Sequence, residues 1–409
     1  MTTRSGRSKS VKSATTVAVV LTAYMAVVFG LGLYLFSLLA SEMRQTLGFA
    51  LHTIGTITAA AQITFLIAAA LCPMAAKRFG DIRVSVAAVI AAGVTLAAVS
   101  LVNSSVSVAI LVAFLGACAA FMVIPTVGVI ARTVAPEYRS RVNGLVSSGT
   151  AYGQLAAGSL APILVVEAGW RSVWLVFGIA SVFLAVFGYA ALKALAPSAF
   201  VATKASDGSL QGQASPSPNL FNATNIKIWA LLAASGMVCG PWQNYLSSFL
   251  TSEEDHTIQL VGNLWSIIGF LGLFSGFAVG FLADRLGIKP ALASSYAVLA
   301  LAAGLVAAHN GVAMLYAAAT CFGLSFFAVY GLIPAYITKT MEEAQTTAVF
   351  AGANICLGLG TAFGNLASGY IPNLTGSLQQ VYVSIACIAL AAALLVLALP
   401  SEKNSQRRY

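Results

Sequence analysis

Long apolar stretches separated by short polar segments run through almost the whole chain. A helix of about 20 mostly apolar residues crosses a bilayer, and the pattern predicts twelve such helices, numbered here as spans 1 to 12. Their expected limits are 14–40, 53–76, 83–103, 106–132, 142–167, 171–195, 225–250, 258–283, 289–308, 311–338, 345–371 and 378–400. Because a helix satisfies its own backbone hydrogen bonds in lipid, the pattern predicts an all-α membrane protein with twelve transmembrane helices.

Two polar segments, the N-terminal residues 1–13 and the internal residues 196–223, break the apolar pattern and suggest domain limits. The segment 196–223 is rich in Ser, Pro and Gln, a composition typical of a flexible linker. We therefore expect five parts. They are an N-terminal tail (1–13), a first six-helix bundle (14–195), a linker (196–223), a second six-helix bundle (224–400) and a C-terminal tail (401–409).

Composition narrows the class of protein. Of 409 residues, 59% are hydrophobic and 8% are charged, whereas a soluble domain has about 25% charged residues. This excludes a soluble enzyme, a nucleic-acid-binding domain and a secreted disulfide scaffold. The six cysteines lie in apolar stretches without metal-ligand spacing, as expected for small buried hydrophobic residues. The basic N-terminus precedes an apolar run that is too long for a signal peptide.

The distribution of Lys and Arg gives an orientation. If there are twelve spans, all but two of the 21 basic residues lie on the side that carries both termini, and the exceptions are Arg44 and Arg171. Cytoplasmic loops carry the excess of Lys and Arg in membrane proteins. We therefore expect both termini in the cytoplasm and a multi-pass protein of the plasma membrane, here a bacterial inner membrane.

An internal repeat relates the two predicted bundles. Residues 149–158 and 360–369 match at seven of ten positions with an offset of 211. Pro125 and Pro334 agree at an offset of 209, and the loops 77–80 and 284–287 agree at 207. A duplicated six-helix unit gives two pseudo-symmetric bundles, with the substrate site near mid-membrane where they meet.

Small residues in this repeat predict close helix packing. Gly149 and Gly153 in the first copy, and Gly360 and Gly364 in the second, form Gly-x-x-x-Gly pairs that let helix backbones approach. We expect these glycines at the interface between the halves. They would serve either as static packing or as a surface on which the halves rock.

The loop between spans 8 and 9 carries a motif built from Gly280, Asp284, Arg285 and Gly287. It resembles the G-x-L-x-D-R-x-G signature of the major facilitator superfamily (MFS), whose fold has two six-helix bundles. The first copy keeps Arg78 and Gly80, but Lys77 stands where the aspartate is expected, and Glu137 is a candidate substitute.

The resemblance implies that Asp284 and Arg285 form part of a cytoplasmic gate. A carboxylate that precedes span 9 is also favoured by the helix dipole. The alternative role is a solvated loop charge that only fixes topology. A weaker resemblance to monocarboxylate and oxalate/formate carriers comes from Gly30-x-Gly32-x-Tyr34 and from residues 139–169.

The predicted membrane interior holds no charged residue near the middle of any span. An anionic substrate would therefore be held by amides, hydroxyls and helix dipoles. The resemblance implies that spans 1, 4, 7 and 10 line the cavity. The candidate cavity residues are Tyr24, Tyr34, Phe121, Gln243, Asn244 and Tyr330. The alternative for each is a hydrogen bond between helices or an anchor at the membrane interface.

We expect a secondary active transporter of a small organic solute, such as a monocarboxylate-like anion, working by alternating access. A drug or metabolite efflux antiporter is the first alternative, and a non-transporting receptor on a carrier fold is a distant one. No catalytic residue set or phosphate loop is present, so we expect no enzyme activity, no cofactor and no metal. The expected partners are a small-molecule substrate, membrane lipid and a coupling proton or exchanged anion, with no nucleic acid and a monomeric working unit.

Overall fold

The computed structural model describes residues 2–200, 220–308, 310–341 and 343–400. Within these ranges the elements are helices, and no strand is described. The first span consists of α1 (Thr2–Met25), a π-helical turn (Ala26–Leu31) and α2 (Leu35–Leu47). The other helices are α3 (Leu51–Phe79), α4 (Asp81–Val99), α5 (Ser105–Thr133), α6 (Arg139–Ser147), α7 (Gly149–Leu195), α8 (Ala223–Ser252), α9 (Ile258–Leu286), α10 (Ile288–Ala308), α11 (Val312–Thr340), α12 (Glu343–Thr375) and α13 (Gln379–Leu397). Short 3-10 turns occupy Pro136–Tyr138 and Pro197–Phe200.

Eleven helical segments are long and apolar enough to cross a membrane, and one of them, Pro136–Leu195, has 60 residues. This segment is interrupted at Gly169, whose φ of 76° suits glycine because it has no Cβ. Gly149 and Gly188, near the two ends of α7, both approach α1, so the chain turns back at Gly169. The segment therefore holds spans 5 and 6, and the predicted twelve-helix membrane fold is confirmed.

The bundle has two faces, which we name by their loops. The terminal face carries the turns at Gly80 and Gly287 and the end of α13, where Lys289 donates to the carbonyl of Leu397 at 2.8 Å. The distal face lies at the opposite helix ends. There Arg171 donates to the carbonyl of Val102 at 2.9 Å.

The predicted domain limits agree only in part with the helix limits. The residues expected as an N-terminal tail continue α1 as a helix from Thr2. Most of the predicted linker (201–219) and the C-terminal tail (401–409) lie outside the described residues. The division into two six-helix bundles therefore stays a prediction about domains.

The glycines of the repeat make close helix contacts, but within each half. A Cβ on Gly149 or Gly153 would collide with the backbone of the first span, at Thr22 and Ala26. A Cβ on Gly360 would collide in the same way with Ala233 of α8. The expectation that these glycines lie between the halves is corrected, because each faces the first span of its own half.

Gly364 also faces the first span of its own half, since it packs against Met237 of α8. The contact between halves comes instead from the last glycine of each repeat copy. Gly158 packs on Gly262 of α9, and Gly369 packs on His52 of α3. One repeated segment thus provides both the packing inside each half and the packing between them.

Candidate functional site

Hydrogen bonds join α2 to α8 across the two halves near the distal face. The hydroxyl of Ser37 donates to Asn244 Oδ1, and the hydroxyls of Ser41 and Ser252 lie 3.0 Å apart. Ser247 donates to a backbone carbonyl of α2 at 2.7 Å, and Thr251 donates to Ser41 at 2.5 Å. We call this group the distal seal, and its members are Ser37, Leu38, Ser41, Asn244, Ser247, Thr251 and Ser252.

Two partners in the distal seal are pseudo-equivalent residues. Ser41 and Ser252 are separated by 211 positions, which is the offset of the repeat copies 149–158 and 360–369. The contacts of Gly149 with Thr22 and of Gly360 with Ala233 carry the same offset into the first span and α8. Equivalent residues of a duplicated unit meet where the symmetry axis passes between them. The seal therefore lies on the axis that relates the halves, which runs along the membrane normal in such repeats.

Four amide side chains border the seal on its terminal side. Asn244 belongs to both groups, and Gln243 precedes it on α8. Gln154 Nε2 donates to Gln243 Oε1 at 3.1 Å, and Asn244 Nδ2 donates to Asn365 Oδ1 at 2.9 Å. Gln154 and Asn365 occupy the same position in the two repeat copies. All four residues are buried. We call them the amide layer.

An aromatic group lies beside the amide layer where α2, α9 and α11 meet. The ring of Tyr34 has its centroid 6.2 Å from Trp265 and 6.4 Å from Phe326. Phe326 is in turn 5.1 Å from Tyr330. Tyr34 and Tyr330 are only half-buried, although Trp265 beside them is fully buried. These tyrosines are therefore the members of the group that a solute can reach.

The local backbone explains how Tyr34 and the amides are presented. The π-helical turn Ala26–Leu31 widens the first span directly before Tyr34, and such turns are frequent at functional sites. Pro241 lies inside α8 just before Gln243. Proline removes a backbone donor and disturbs the preceding turn, so the backbone of α8 loses a hydrogen bond one turn toward the terminal face from the amides.

The structure brings together four of the six predicted cavity residues: Tyr34, Gln243, Asn244 and Tyr330. Tyr24 lies apart, because its buried hydroxyl donates to the carbonyl of Ala185 on α7 at 2.8 Å. Phe121 is half-buried on α5. No ring contact within the described part of the chain joins it to the aromatic group.

Sequence reasoning did not select Ser37, Gln154 or Asn365, although signals for them were present. Gln154 and Asn365 are the two amides at one position of the repeat. The seal serines follow a spacing of four, and the repeat offset of 211 aligns Ser37 with Ser248 and Ser41 with Ser252. Aligning the two spans by this offset would have shown these hydroxyls as equivalent.

The motif on the terminal face has equivalent backbone geometry in its two copies. Gly80 and Gly287 end α3 and α9 with φ values of 89° and 92°. Arg78 lies over the ring of Phe79 at 5.3 Å, and Arg285 lies over the ring of Phe281 at 4.2 Å. The motif glycines thus turn the chain in both halves, as a positive φ requires.

The acidic residues of the two copies have different surroundings. Asp81 begins α4 and forms an ion pair of 2.5 Å with Arg132 in the last turn of α5. The suggestion that Glu137 replaces the missing aspartate is corrected, because Asp81 takes this place where the helix dipole favours a carboxylate. Glu137 is exposed in the short turn Pro136–Tyr138.

Asp284 lies in the last turn of α9, and not ahead of the next helix as the sequence suggested. A helix C-terminus disfavours a carboxylate. Asp284 is exposed and makes no ion pair with any residue of the described ranges. It lines a cavity of about 280 Å³ at the terminal face, between α9 and α11, together with Gly280 and Lys339.

Comparisons with known proteins agree with this architecture. The family model of the Major Facilitator Superfamily matches residues 20–365. A cis,cis-muconate transport protein of Acinetobacter baylyi is 25% identical over 313 residues, which are 73% of each chain.

Solved structures show the same fold. A variant of the nucleoside transporter NupG superimposes with a TM-score of 0.74 and 17% identity, over 93% of this chain and 99% of that one. A bacterial homolog of the human lysosomal transporter Spinster, in an inward-facing and occupied conformation, gives 0.74 and 14% identity over 97% of both chains.

Proposed function

Since this chain belongs to the Major Facilitator Superfamily, we propose that it is a secondary active transporter that moves a small organic solute by alternating access around the amide layer. The observation that carries the proposal is the position of the hydrogen bonds between the halves. In the described residues these bonds lie in the distal seal, in the amide layer and between Ser159 and Ser266 at 3.1 Å. All of them lie at or beyond the middle of the bundle on the distal side.

The half-buried rings of Tyr34 and Tyr330 support a route to the terminal face. If this face is cytoplasmic, as the excess of Lys and Arg there indicates, the conformation is inward-facing. Rocking the bundles 14–195 and 224–400 about the axis would break the distal seal and close the terminal face. One chain contains both bundles, so a monomer suffices for this cycle.

We propose organic carboxylates as the substrate class. The muconate transport relative supports this class, and the neutral donors of the amide layer suit a small oxygen-bearing group. Aromatic rings beside a few polar groups are typical of sites for small organic molecules. The same rings would also suit a lipophilic solute, so drug efflux is the competing proposal.

We propose that Asp284 acts in the gate. A carboxylate that is exposed at a helix C-terminus gains from a cationic partner. When the terminal face closes, basic side chains of the first half come within its reach, such as Arg141 at the start of span 5, which is exposed in this conformation. Lys339, which lines the same cavity, would be its competitor.

Flux into proteoliposomes tests the proposed function. The probes are radiolabelled cis,cis-muconate, benzoate, uridine and tetraphenylphosphonium, with empty liposomes as the control. We expect saturable uptake of at least one carboxylate. Uptake of tetraphenylphosphonium alone would favour efflux of lipophilic solutes, and uptake of none of the four by protein that unfolds cooperatively would contradict the proposal.

A further inference from the structure

Gln154 and Gln243 form an incomplete amide pair across the two halves. Both side chains are buried, with relative exposures of 0% and 1%. Gln154 Nε2 donates to Gln243 Oε1, but no residue that the structure describes bonds to Gln154 Oε1 or to Gln243 Nε2. Buried polar atoms in native proteins are almost always paired, so the site offers one acceptor and one donor to something that the structure does not include.

The count of one free acceptor and one free donor does not depend on how the amide atoms are assigned. Oxygen and nitrogen of a glutamine are assigned from the hydrogen-bond network. If both amides were turned over, the single bond would run from Gln243 to Gln154, and one acceptor and one donor would again be left. The complementary group must therefore donate one hydrogen bond and accept another.

A protonated carboxyl group meets this requirement, since its O–H donates and its carbonyl oxygen accepts. A primary carboxamide meets it as well. A carboxylate has no proton to donate and would place negative charge against Gln154 Oε1. Burying an unpaired carboxylate is also costly. The polar side chains that join the pair to the amide layer and the distal seal are neutral: Asn244, Asn365 and Ser37.

We propose that Gln154 and Gln243 bind the substrate's carboxyl group in its protonated form, so that the coupled proton crosses the membrane on the substrate. This inference rests on the proposed function. The carboxylate takes up a proton in water before it binds, the neutral acid crosses, and the proton is released on the other side. No side chain of the protein has to change its charge.

The titratable groups near the pair agree with this scheme. The helices packed around it contribute Tyr34, Cys239, Tyr245 and Tyr330. Tyrosine hydroxyls and cysteine thiols titrate above neutrality. Between pH 5 and pH 7 these tyrosines and this cysteine therefore keep their protons. The same set of helices carries Glu42 on α2 and His52 on α3, toward the distal face, so the amide probes separate an effect of these two groups from an effect of the ligand.

The test measures binding to the purified full-length protein at pH 5, 6 and 7. Its probes are benzoate with benzamide, and cis,cis-muconate with its diamide, so each acid has an amide partner that does not titrate in this range. A carboxyl group has a pKa of about 4, so its protonated fraction falls about tenfold per pH unit here. We therefore expect the Kd of each acid to rise about tenfold per pH unit, and the Kd of each amide to stay within twofold.

Two variants locate the effect. Gln243→Met and Gln154→Met keep the length of the side chain but remove the donor and acceptor, and each should weaken both acids and amides at least tenfold at pH 5. Asn354→Leu is the matched control, because the described partner of this exposed amide lies in its own helix, the carbonyl of Phe350 at 2.8 Å. It should leave every Kd within twofold.

The pH series on the wild-type protein tests the inference even if a variant does not fold. Acid binding that is equal at pH 5 and pH 7, or tighter at pH 7, would overturn the inference because the anion would then be the bound form. Failure of all four probes to bind would also overturn it. Uptake of uridine in the flux assay would, in that case, leave transport of a small organic solute intact.

Discussion

The distal and terminal parts of the interface between the halves use different chemistry. On the distal side, neutral hydroxyls and amides form hydrogen bonds between the halves, and Gly158 and Gly369 bring backbones into contact. On the terminal side lie the charged residues of the gate motif, including the exposed Asp284. A neutral hydrogen bond contributes about 0.5–1.5 kcal/mol, so several of them can form a seal that still opens. Exposed charges act over about 8–10 Å and are screened by salt.

This contrast suggests that the two ends are regulated differently during transport. Opening the distal end should depend on packing and on short bonds. Closing the terminal end should depend on charge and ionic strength. Substitutions at each end should therefore affect transport to different degrees, most strongly in the distal seal.

Cross-linking the distal seal should stop transport. Ser41→Cys with Ser252→Cys replaces two hydroxyls that lie 3.0 Å apart, so the two sulfur atoms can reach disulfide geometry with small shifts. In a background without the native cysteines, oxidation should lower uptake more than tenfold, and a reductant should restore it.

The matched control is Ser104→Cys with Ser107→Cys, whose hydroxyls lie 2.9 Å apart within the first half. Oxidising this pair should leave uptake unchanged. Full transport through the oxidised Ser41–Ser252 pair would show that the distal seal does not open.

A methyl group at Gly262 should separate the halves. Its Cβ would collide with Pro162 and with the carbonyl of Gly158 on the opposite half. We expect Gly262→Ala to lower uptake about tenfold, as the seal could no longer close fully. Gly304→Ala is the control, because a Cβ there meets nothing within 4 Å and alanine favours a helix by about 1 kcal/mol. Equal uptake by both variants would show that the close contact at Gly262 is not needed for transport.

Much of this fold is readable from the sequence, and the reasons are physical. The length of the apolar runs, and the placement of all but two of the basic residues on one side, predicted twelve spans. Even the turn at Gly169, where the helical segment Pro136–Leu195 divides, lies between predicted spans 5 and 6. In lipid, few architectures satisfy every backbone group, so hydropathy constrains the fold strongly.

The site was less predictable. Tyr24 and Gln243 look alike as polar residues in apolar spans, but the first bonds within its half and the second bonds across the halves. Which face of a helix meets the other half depends on crossing angles that hydropathy does not contain. The acidic residues of the two motif copies also differ, since Asp81 forms an ion pair and Asp284 forms none in the described ranges. This difference likewise depends on where the helices end.

Removing the charge of Asp284 should slow transport a few-fold without weakening binding. The carboxylate contributes only when the terminal face closes, so Asp284→Asn should lower the maximal rate three- to tenfold and leave the apparent KM within twofold. Asp255→Asn, which changes an exposed acid on the distal side, is the control. An unchanged maximal rate, or a large change in KM alone, would refute a gating role.

Breaking the ion pair between Asp81 and Arg132 should have the smallest effect. The pair is partly exposed, 22% for Arg132 and 17% for Asp81, and it lies within one half. Asp81→Asn should lower the free energy of unfolding by about 1 kcal/mol, as partly exposed pairs do, with uptake within twofold. A double-mutant cycle with Arg132→Gln measures the coupling, and a coupling near zero would show that the pair does not stabilise the half.

Distances at both faces test alternating access most directly. Spin labels at the exposed pseudo-equivalent residues Asn103 and Asn310 report on the distal face, and labels at Phe79 and Leu286 report on the terminal face. Adding a transported substrate should populate a state in which the distal distance grows while the terminal distance shrinks. If both distances stayed fixed, or both changed in the same direction, while the labelled protein still transported, rocking around the amide layer would be contradicted.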